Sequence, residues 1–412
     1  MKPSQTNISG RSDACLAAVV LLAGSVIAAY YLRALWTFDE KGFSILSGGL
    51  PYWDFSNLWA GARMALDGHV AYLFDVDAYR MTLRTLFSPD LPNQEWSYPP
   101  SILLLGAPLA ALPIFPAYLV WTFGTVFCLW LAIRPLRLGR IAGLAVVLSP
   151  AVVMNAIFGQ NGALTTALLI GGLVAAPGRP VLAGMMFGLL TIKPHLGILV
   201  PFCLLASGNW RAILAASATT FAIAAITALF FGFAVWPQFF AETRTLMTGI
   251  MEAPYPQPYH SNAITVFFTA RAAGFGLAAA YGLQTVMSVA AIAAVTWLWL
   301  PGRETEHRER VVLTAVLAIL ATPYGYTYDT ISVAVVVAFL FMATARPPRA
   351  ILGIFWVYAF FAHILNNAGF SFGVLVPLSL AAWMLASIWA RGRIRQLPRE
   401  PSIAHRKPHT AS

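Results

Sequence analysis

Charged residues fall in bunches along this chain, and the stretches between them are apolar for lengths that suit a membrane. Uncharged runs cover 14–32, 96–133, 141–178, 180–192, 194–210, 212–241, 272–302, 311–328, 330–345 and 350–390. A helix rises about 1.5 Å per residue, so about 20 residues cross roughly 30 Å of hydrocarbon. Several runs are long enough for two helices. The run from Ala14 to Leu32 is long for the core of a signal peptide, and no small-residue cleavage site follows it. It reads as an uncleaved first helix.

Basic residues set the orientation. They gather at short connections: Arg134, Arg137 and Arg140; Arg179; Arg211; Arg303, Arg308 and Arg310; Arg346 and Arg349; Arg391, Arg393 and Arg395. Cytoplasmic loops carry the excess of Lys and Arg. Placing these connections and both termini inside leaves most of the acids outside. The helices predicted on this basis span 14–32, 116–134, 141–157, 161–176, 211–232, 279–300, 310–323, 327–345, 349–366 and 371–391. A hairpin of two short helices occupies 181–206 and turns at Lys193-Pro194. The fold class is therefore all-α and polytopic, with about twelve crossings, two of them a short re-entrant pair. Residues 1–13 form a cytoplasmic N-terminus, 14–391 the transmembrane domain, and 392–412 a basic cytoplasmic tail. The apolar stretch 101–111 is too short to span, and Pro108 would break a helix there, so it is expected to lie in the outer interface.

Two outer segments exceed ordinary connections. Residues 33–115 form a long excursion with eight acids, and 233–278 a second one rich in Pro and aromatics. Loops this long are usually functional or disordered, and these are too aromatic and apolar for disorder. Function is expected to face outward. No internal repeat is visible, although transporters often carry paired halves.

Composition narrows the class. The chain is 59% hydrophobic and 10% charged, with mean hydropathy +0.71; soluble domains carry about 25% charged residues. That excludes a water-soluble enzyme. The net charge of +10 reflects membrane orientation, with no nucleic-acid partner. Cys15, Cys128 and Cys203 sit in apolar runs without CxxC spacing, which indicates neither a disulfide framework nor a metal site.

Few polar residues are placed where they can do chemistry. Asp54 stands among aromatics in Tyr52-Trp53-Asp54-Phe55. Partial desolvation there would raise its pKa and suit it to accept a proton; the competing reading is a cap on the helix-like stretch from Leu58. Lys193 is the lone charge between Pro180 and Trp210. An intramembrane cation costs at least about 2.5–3.5 kcal/mol uncompensated, and it calls for a partner: a phosphate in the favoured reading, Asp329 in the other. Asp329 also fits as an N-cap of the descending helix. Gln160-Asn161 and Asn366-Asn367 sit at outer turns, where turn chemistry and ligand contact explain them equally. His260 and Arg271 flank Ser261-Asn262 in the second excursion. His363 reads as a packed core histidine, and His405 and His409 form no metal-ligand pattern.

Asp54-Phe55 followed by Trp59, Ala60-Gly61-Ala62-Arg63, Gly68 and Tyr72 resembles the start of glycosyltransferase family 87, the polyprenyl-phosphate-mannose-dependent mannosyltransferase-like family of the GT-C fold. Tyr98-Pro99-Pro100, Gly159-Gln160-Asn161, Lys193-Pro194, Asn209-Trp210-Arg211 and His260-Ser261-Asn262 with Arg271 follow in the family's order. The resemblance covers about residues 50–345. One departure stands out. Mannosyltransferases of the family carry Ser-Pro-x-Ser-Trp followed by histidine. Here the segment reads Thr322-Pro323-Tyr324-Gly325-Tyr326-Thr327-Tyr328-Asp329, with Tyr328 or Asp329 near the histidine's place.

The resemblance implies an inverting GT-C transferase of the bacterial cytoplasmic membrane, a component of cell-envelope synthesis. It would pass one mannose-like hexose or pentose from a polyprenyl-phosphate donor to a lipid or glycan acceptor on the outer face. Asp54 in the first outer loop would be its catalytic residue. Lys193, with Arg271 or His260, would hold the donor phosphate. Trp53, Trp59, Tyr98, Gln160, Asn161, Asn262, Tyr328 and Asp329 would contact sugar or acceptor, and Tyr255 would offer a further stacking face. No cofactor is expected; Asp54 has no acidic neighbour in sequence to share a metal, although some GT-C enzymes use one. The rival readings are a lipid or glycolipid flippase and a non-catalytic assembly subunit.

Overall fold

The structure, a computed structural model, describes residues 5–344 and 346–396. The basic tail beyond 396, with His405 and His409, lies outside the described residues. Among those described the fold is all-helical, without strands; two isolated β-bridges join Phe38 to Ser44 and Ala263 to Tyr326.

Helix α1 (Gln5–Leu35) overruns both ends of the expected first span. The first excursion is itself helical, with α2 (Trp53–Leu66), α3 (Val76–Leu86) and α4 (Leu103–Ala110). Pro108 lies inside α4 and does not end it, which corrects the expectation of a break. The ring removes one hydrogen bond near the end of a short helix. Packing offsets that loss: Gly106 sits against Leu58 and Ala62 of α2.

The bundle continues with α5 (Ile114–Ile133), α6 (Gly139–Val147), α7 (Pro150–Phe158), α8 (Gly162–Ala175), α9 (Pro180–Leu189), α10 (Val200–Ala206) and α11 (Trp210–Phe231). The second excursion holds α12 (Val235–Gln238), α13 (Arg244–Glu252) and α14 (Val266–Ala272). Then come α15 (Leu277–Trp299), α16 (His307–Leu320), α17 (Ile331–Met342), α18 (Arg349–Asn367) and α19 (Leu375–Gln396).

Among the described residues five helical stretches are long and apolar enough to cross a membrane: Ile114–Leu136, Gly139–Phe158, Trp210–Phe231, Leu277–Trp299 and Arg349–Asn367. The other apolar stretches are shorter, at 10–17 residues, and burial accounts for two of them. Every residue of α16 from Val311 to Leu320 is buried, and so is α17 from Ile331 to Ala338. A helix covered by protein need not match the hydrocarbon thickness itself. The long helices instead expose apolar faces, with Phe123 and Phe127 on α5 and Phe221, Leu229 and Phe230 on α11. The pair α9 and α11 cross closely because Gly184 and Gly188 offer no side chain against Ala212, Ala216 and Thr219.

The basic connections share one end of the bundle. Arg308 donates to the Leu136 carbonyl at 3.3 Å, the Asn209 amide to the Ala176 carbonyl at 2.7 Å, and Arg391 pairs with Glu309 at 2.7 Å. The turns at 159–161, 193–195 and 324–329 meet one another at the other end, along with parts of the two excursions. The sidedness proposed from Lys and Arg is directly testable. With the native cysteines replaced, an impermeant thiol reagent added outside is expected to label Asp75→Cys and Tyr255→Cys, but not Arg137→Cys or Glu306→Cys. Outside labelling at 137 would mean that 101–111 crosses, and the threading fails from there on.

Candidate active site

Asp54 is the second residue of α2, not a cap before it. The helix starts at Trp53, and its first turn carries no side-chain cap, so the capping alternative for Asp54 does not hold. What anchors this turn is Gln94, whose amide donates to the Trp53 carbonyl at 2.6 Å while Ser56 Oγ donates to the same oxygen at 2.7 Å. Tyr98 donates its hydroxyl to the Asp54 carbonyl at 3.3 Å. The residue is half-buried, with protein packed around its carboxyl. Desolvation raises its pKa from 3.8 to about 6, against the opposing pull of the Gln160 amide and the Lys193 charge.

Gln160 reaches Asp54 because of two glycines. Gly159 ends α7 in the left-handed region, at φ 66°, and a Cβ there would strike Phe55. Gly162 opens α8 against the Tyr328 carbonyl, where a side chain has no room. The turn 159–162 is thus wedged between the start of α2 and the segment 326–329. Asn161, 2% exposed, has a side-chain oxygen without a partner. That is an unmet acceptor of the kind a substrate hydroxyl satisfies.

Lys193 sits in the break between two 3-10 turns, Leu190–Ile192 and Pro194–Gly197. Its ammonium lies 2.5 Å from Asp329 Oδ1 and 4.8 Å from the centroid of the Tyr328 ring. The other Asp329 oxygen accepts the Tyr326 N–H at 3.2 Å. The ion-pair alternative for Lys193 is therefore present in this structure. Asp329 is not the cap of α17; that position is Thr330, and Asp329 closes the short turn before it.

Phenols complete the surround. Tyr259 and Tyr324 share a hydrogen bond at 2.9 Å, and Tyr326 and Tyr328 stack at 5.5 Å. Burial, with the nearby Asp54 charge, raises the pKa values of Tyr98, Tyr259, Tyr324 and Tyr328. All four stay protonated at neutral pH.

The structure does not bring every expected residue here. Arg271 donates to the carbonyls of Phe275 and Ala253, both at 3.2 Å. His260 bonds the Ile250 carbonyl and lies parallel to Tyr255 at 5.5 Å, and burial lowers its pKa. Among the described residues neither touches Asp54, Lys193 or Asp329. Trp59 donates to the Leu112 carbonyl at 3.0 Å and packs on Phe87; Trp53 packs against Gly49. The Asn262 side-chain oxygen accepts from Thr327 at 3.2 Å, while Asn366 ties the carbonyls of Ser261 and Ala263 to α18. His363 bonds Ser261 and Asn367.

Sequence reasoning missed Tyr259, Tyr324 and His195. His195 packs edge-on against Tyr324 at 5.2 Å, and its Nε2 is buried without a partner. The available signal was tyrosine at every second position of 324–328, a segment that runs extended as far as Tyr326 before the 3-10 turn Thr327–Asp329. It pairs with the second excursion through Ile264 N–H to the Gly325 carbonyl at 3.1 Å.

The arrangement is a carboxyl whose pKa burial raises to about 6, an ammonium close enough to oppose that rise, and a ring of neutral hydroxyls. The family model of glycosyltransferase family 87 matches residues 96–323, a stretch that includes Gln160, Asn161, Lys193 and Tyr259. Nothing matches among curated proteins or among solved structures.

Proposed function

The chain belongs to glycosyltransferase family 87, and on that footing we propose that it transfers a single hexose or pentose from a polyprenyl-phosphate sugar to a hydroxyl of a lipid or glycan. The reaction inverts the anomeric centre and takes place on the outer face of a bacterial cytoplasmic membrane. The observation that carries this reading is Asp54, half-buried at the meeting point of α2, the 159–162 turn and the Lys193 break, with its pKa raised to about 6.

In this reaction the acceptor oxygen attacks C1 of the donor sugar, and Asp54 takes the hydroxyl proton as general base. The bond from C1 to the phosphate oxygen breaks, and polyprenyl phosphate leaves with one more negative charge. Lys193 has three N–H donors; one is held by Asp329, and the others stabilise the growing charge. Gln160 and Asn161 orient hydroxyls. Tyr328, beneath the ammonium, and Tyr98 border the sugar. The reading uses no resident metal ion. A flippase would need no proton acceptor at this position, and the family favours a transferase.

The test is transfer of radiolabelled sugar from a polyprenyl-phosphate donor to a membrane-lipid extract by the purified protein, alongside mass spectrometry of envelope glycans in a deletion strain. A glycan lacking one sugar in the deletion, restored by the gene, is the expected result; an unchanged glycan profile and no transfer refute the reading. The pH profile is a further check. The base works only when ionised, so kcat/KM is expected to fall as pH drops through about 6 and to level off above it. A limb near the ordinary carboxylate value would show that Asp54 is not the group titrating.

A further inference from the structure

Away from Asp54, a cavity of about 260 Å³ opens on the seam between the two outer excursions. Tyr79, Glu95 and Trp96 line it from the first excursion; Glu242, Thr243 and Thr245 line it from the second. Three features set it apart from a packing gap. Trp96 is 2% exposed and its indole N–H has no partner, a donor whose desolvation goes uncompensated until something accepts from it. Arg80 bonds a single oxygen of Glu95, Oε1, which leaves Oε2 open, and among the described residues Glu242 pairs with no cation. The chain at Phe239–Thr243 forms a π turn, an uncommon geometry that recurs at functional sites, and it carries Glu242 and Thr243 to the cavity.

Carboxylates take hydrogen bonds from hydroxyls, an indole N–H gives one, and aromatic walls suit the apolar faces of a sugar ring. The cavity is also wired to the proposed base. Trp96 meets the Tyr98 ring edge-on at 5.3 Å, Tyr98 bonds the Asp54 carbonyl, and the Glu95 carbonyl accepts from Asn57, three residues beyond Asp54 on α2. We propose that this cleft is the acceptor subsite and that it holds a polyhydroxylated group, a sugar residue or a polyol headgroup, next to the one receiving the new sugar. The proposal rests on the transferase reading above.

Two variants test it in the full chain: Glu242→Gln, which removes a charged acceptor, and Thr245→Phe, which fills the cleft from an exposed position. Hydrogen bonds to a charged group are worth about a tenfold change in affinity. Both variants are expected to raise the apparent KM for the lipid-extract acceptor about tenfold, with donor KM within about twofold of wild type. A second readout is independent of turnover: saturation-transfer NMR with methyl α-D-mannopyranoside, whose signal is expected in the wild type and lost in Thr245→Phe. An enzyme that transfers normally with unchanged acceptor KM in both variants overturns the cleft assignment and leaves the transferase reading intact. If the wild type transfers nothing, the transferase reading fails and the hexoside signal decides the cleft alone: absence in the wild type, or persistence in Thr245→Phe, overturns it.

Discussion

Asp54→Asn is expected to cut turnover by at least about 10²-fold, the low end for general-base catalysis, while donor affinity stays near wild type. Asparagine matches aspartate in size, and no hydrogen bond of the first turn of α2 depends on the carboxylate, because Gln94, Ser56 and Tyr98 all bond backbone carbonyls there. The variant should therefore fold. What it loses is the ability to take the acceptor's proton. Donor contacts are proposed at Lys193, on a different element. Measuring kcat and donor Kd on the purified variant separates the two effects. A well-folded Asp54→Asn protein with near wild-type transfer ends the general-base proposal.

The Lys193–Asp329 pair supports the second large prediction, because it bears on both fold and donor. The lysine side chain is 10% exposed and the aspartate fully buried. Removing one partner of a buried pair typically destabilises by about 3–5 kcal/mol, since the other charge is left uncompensated. Lys193→Ala is thus expected both to lower thermal stability markedly and to abolish donor use. Lys193→Arg should retain part of each, with a fork that fits this break less well than an ammonium. Combining Lys193→Met with Asp329→Asn removes both charges, and it should recover most of the stability and none of the donor affinity. Recovery of donor binding in that double variant would reduce Lys193 to a structural ion-pair member.

How much of this was legible beforehand differs residue by residue. Lys193 declared itself, because a lone charge in an apolar run is costly enough to need a reason, and both of its candidate partners were named. The structure supplied the carboxylate. Asp54 stood out by its aromatic setting, yet the start of α2 was placed too late, and so the capping alternative looked stronger than it is. Aromatic residues near a carboxylate announce desolvation; they say nothing of which backbone turn holds it. Arg271 and His260 were assigned to the donor phosphate through the family resemblance of the His260-Ser261-Asn262 segment, and in this structure they engage carbonyls in their own excursion.

The apolar runs and the basic connections determined by themselves that this chain is helical over its described residues, with helices of membrane length. Those features depend on burial preference and charge along the chain, which are local and add up over each segment. Which helices are sheathed by protein was decided only in three dimensions. So were the passage of α4 through Pro108, the meeting of Gln160 with Asp54 over Gly159 and Gly162, and the closing of Lys193 on Asp329 across 136 positions. Contacts of that kind depend on how neighbouring helices are stacked, and a one-dimensional pattern records each partner's chemistry without recording that they touch.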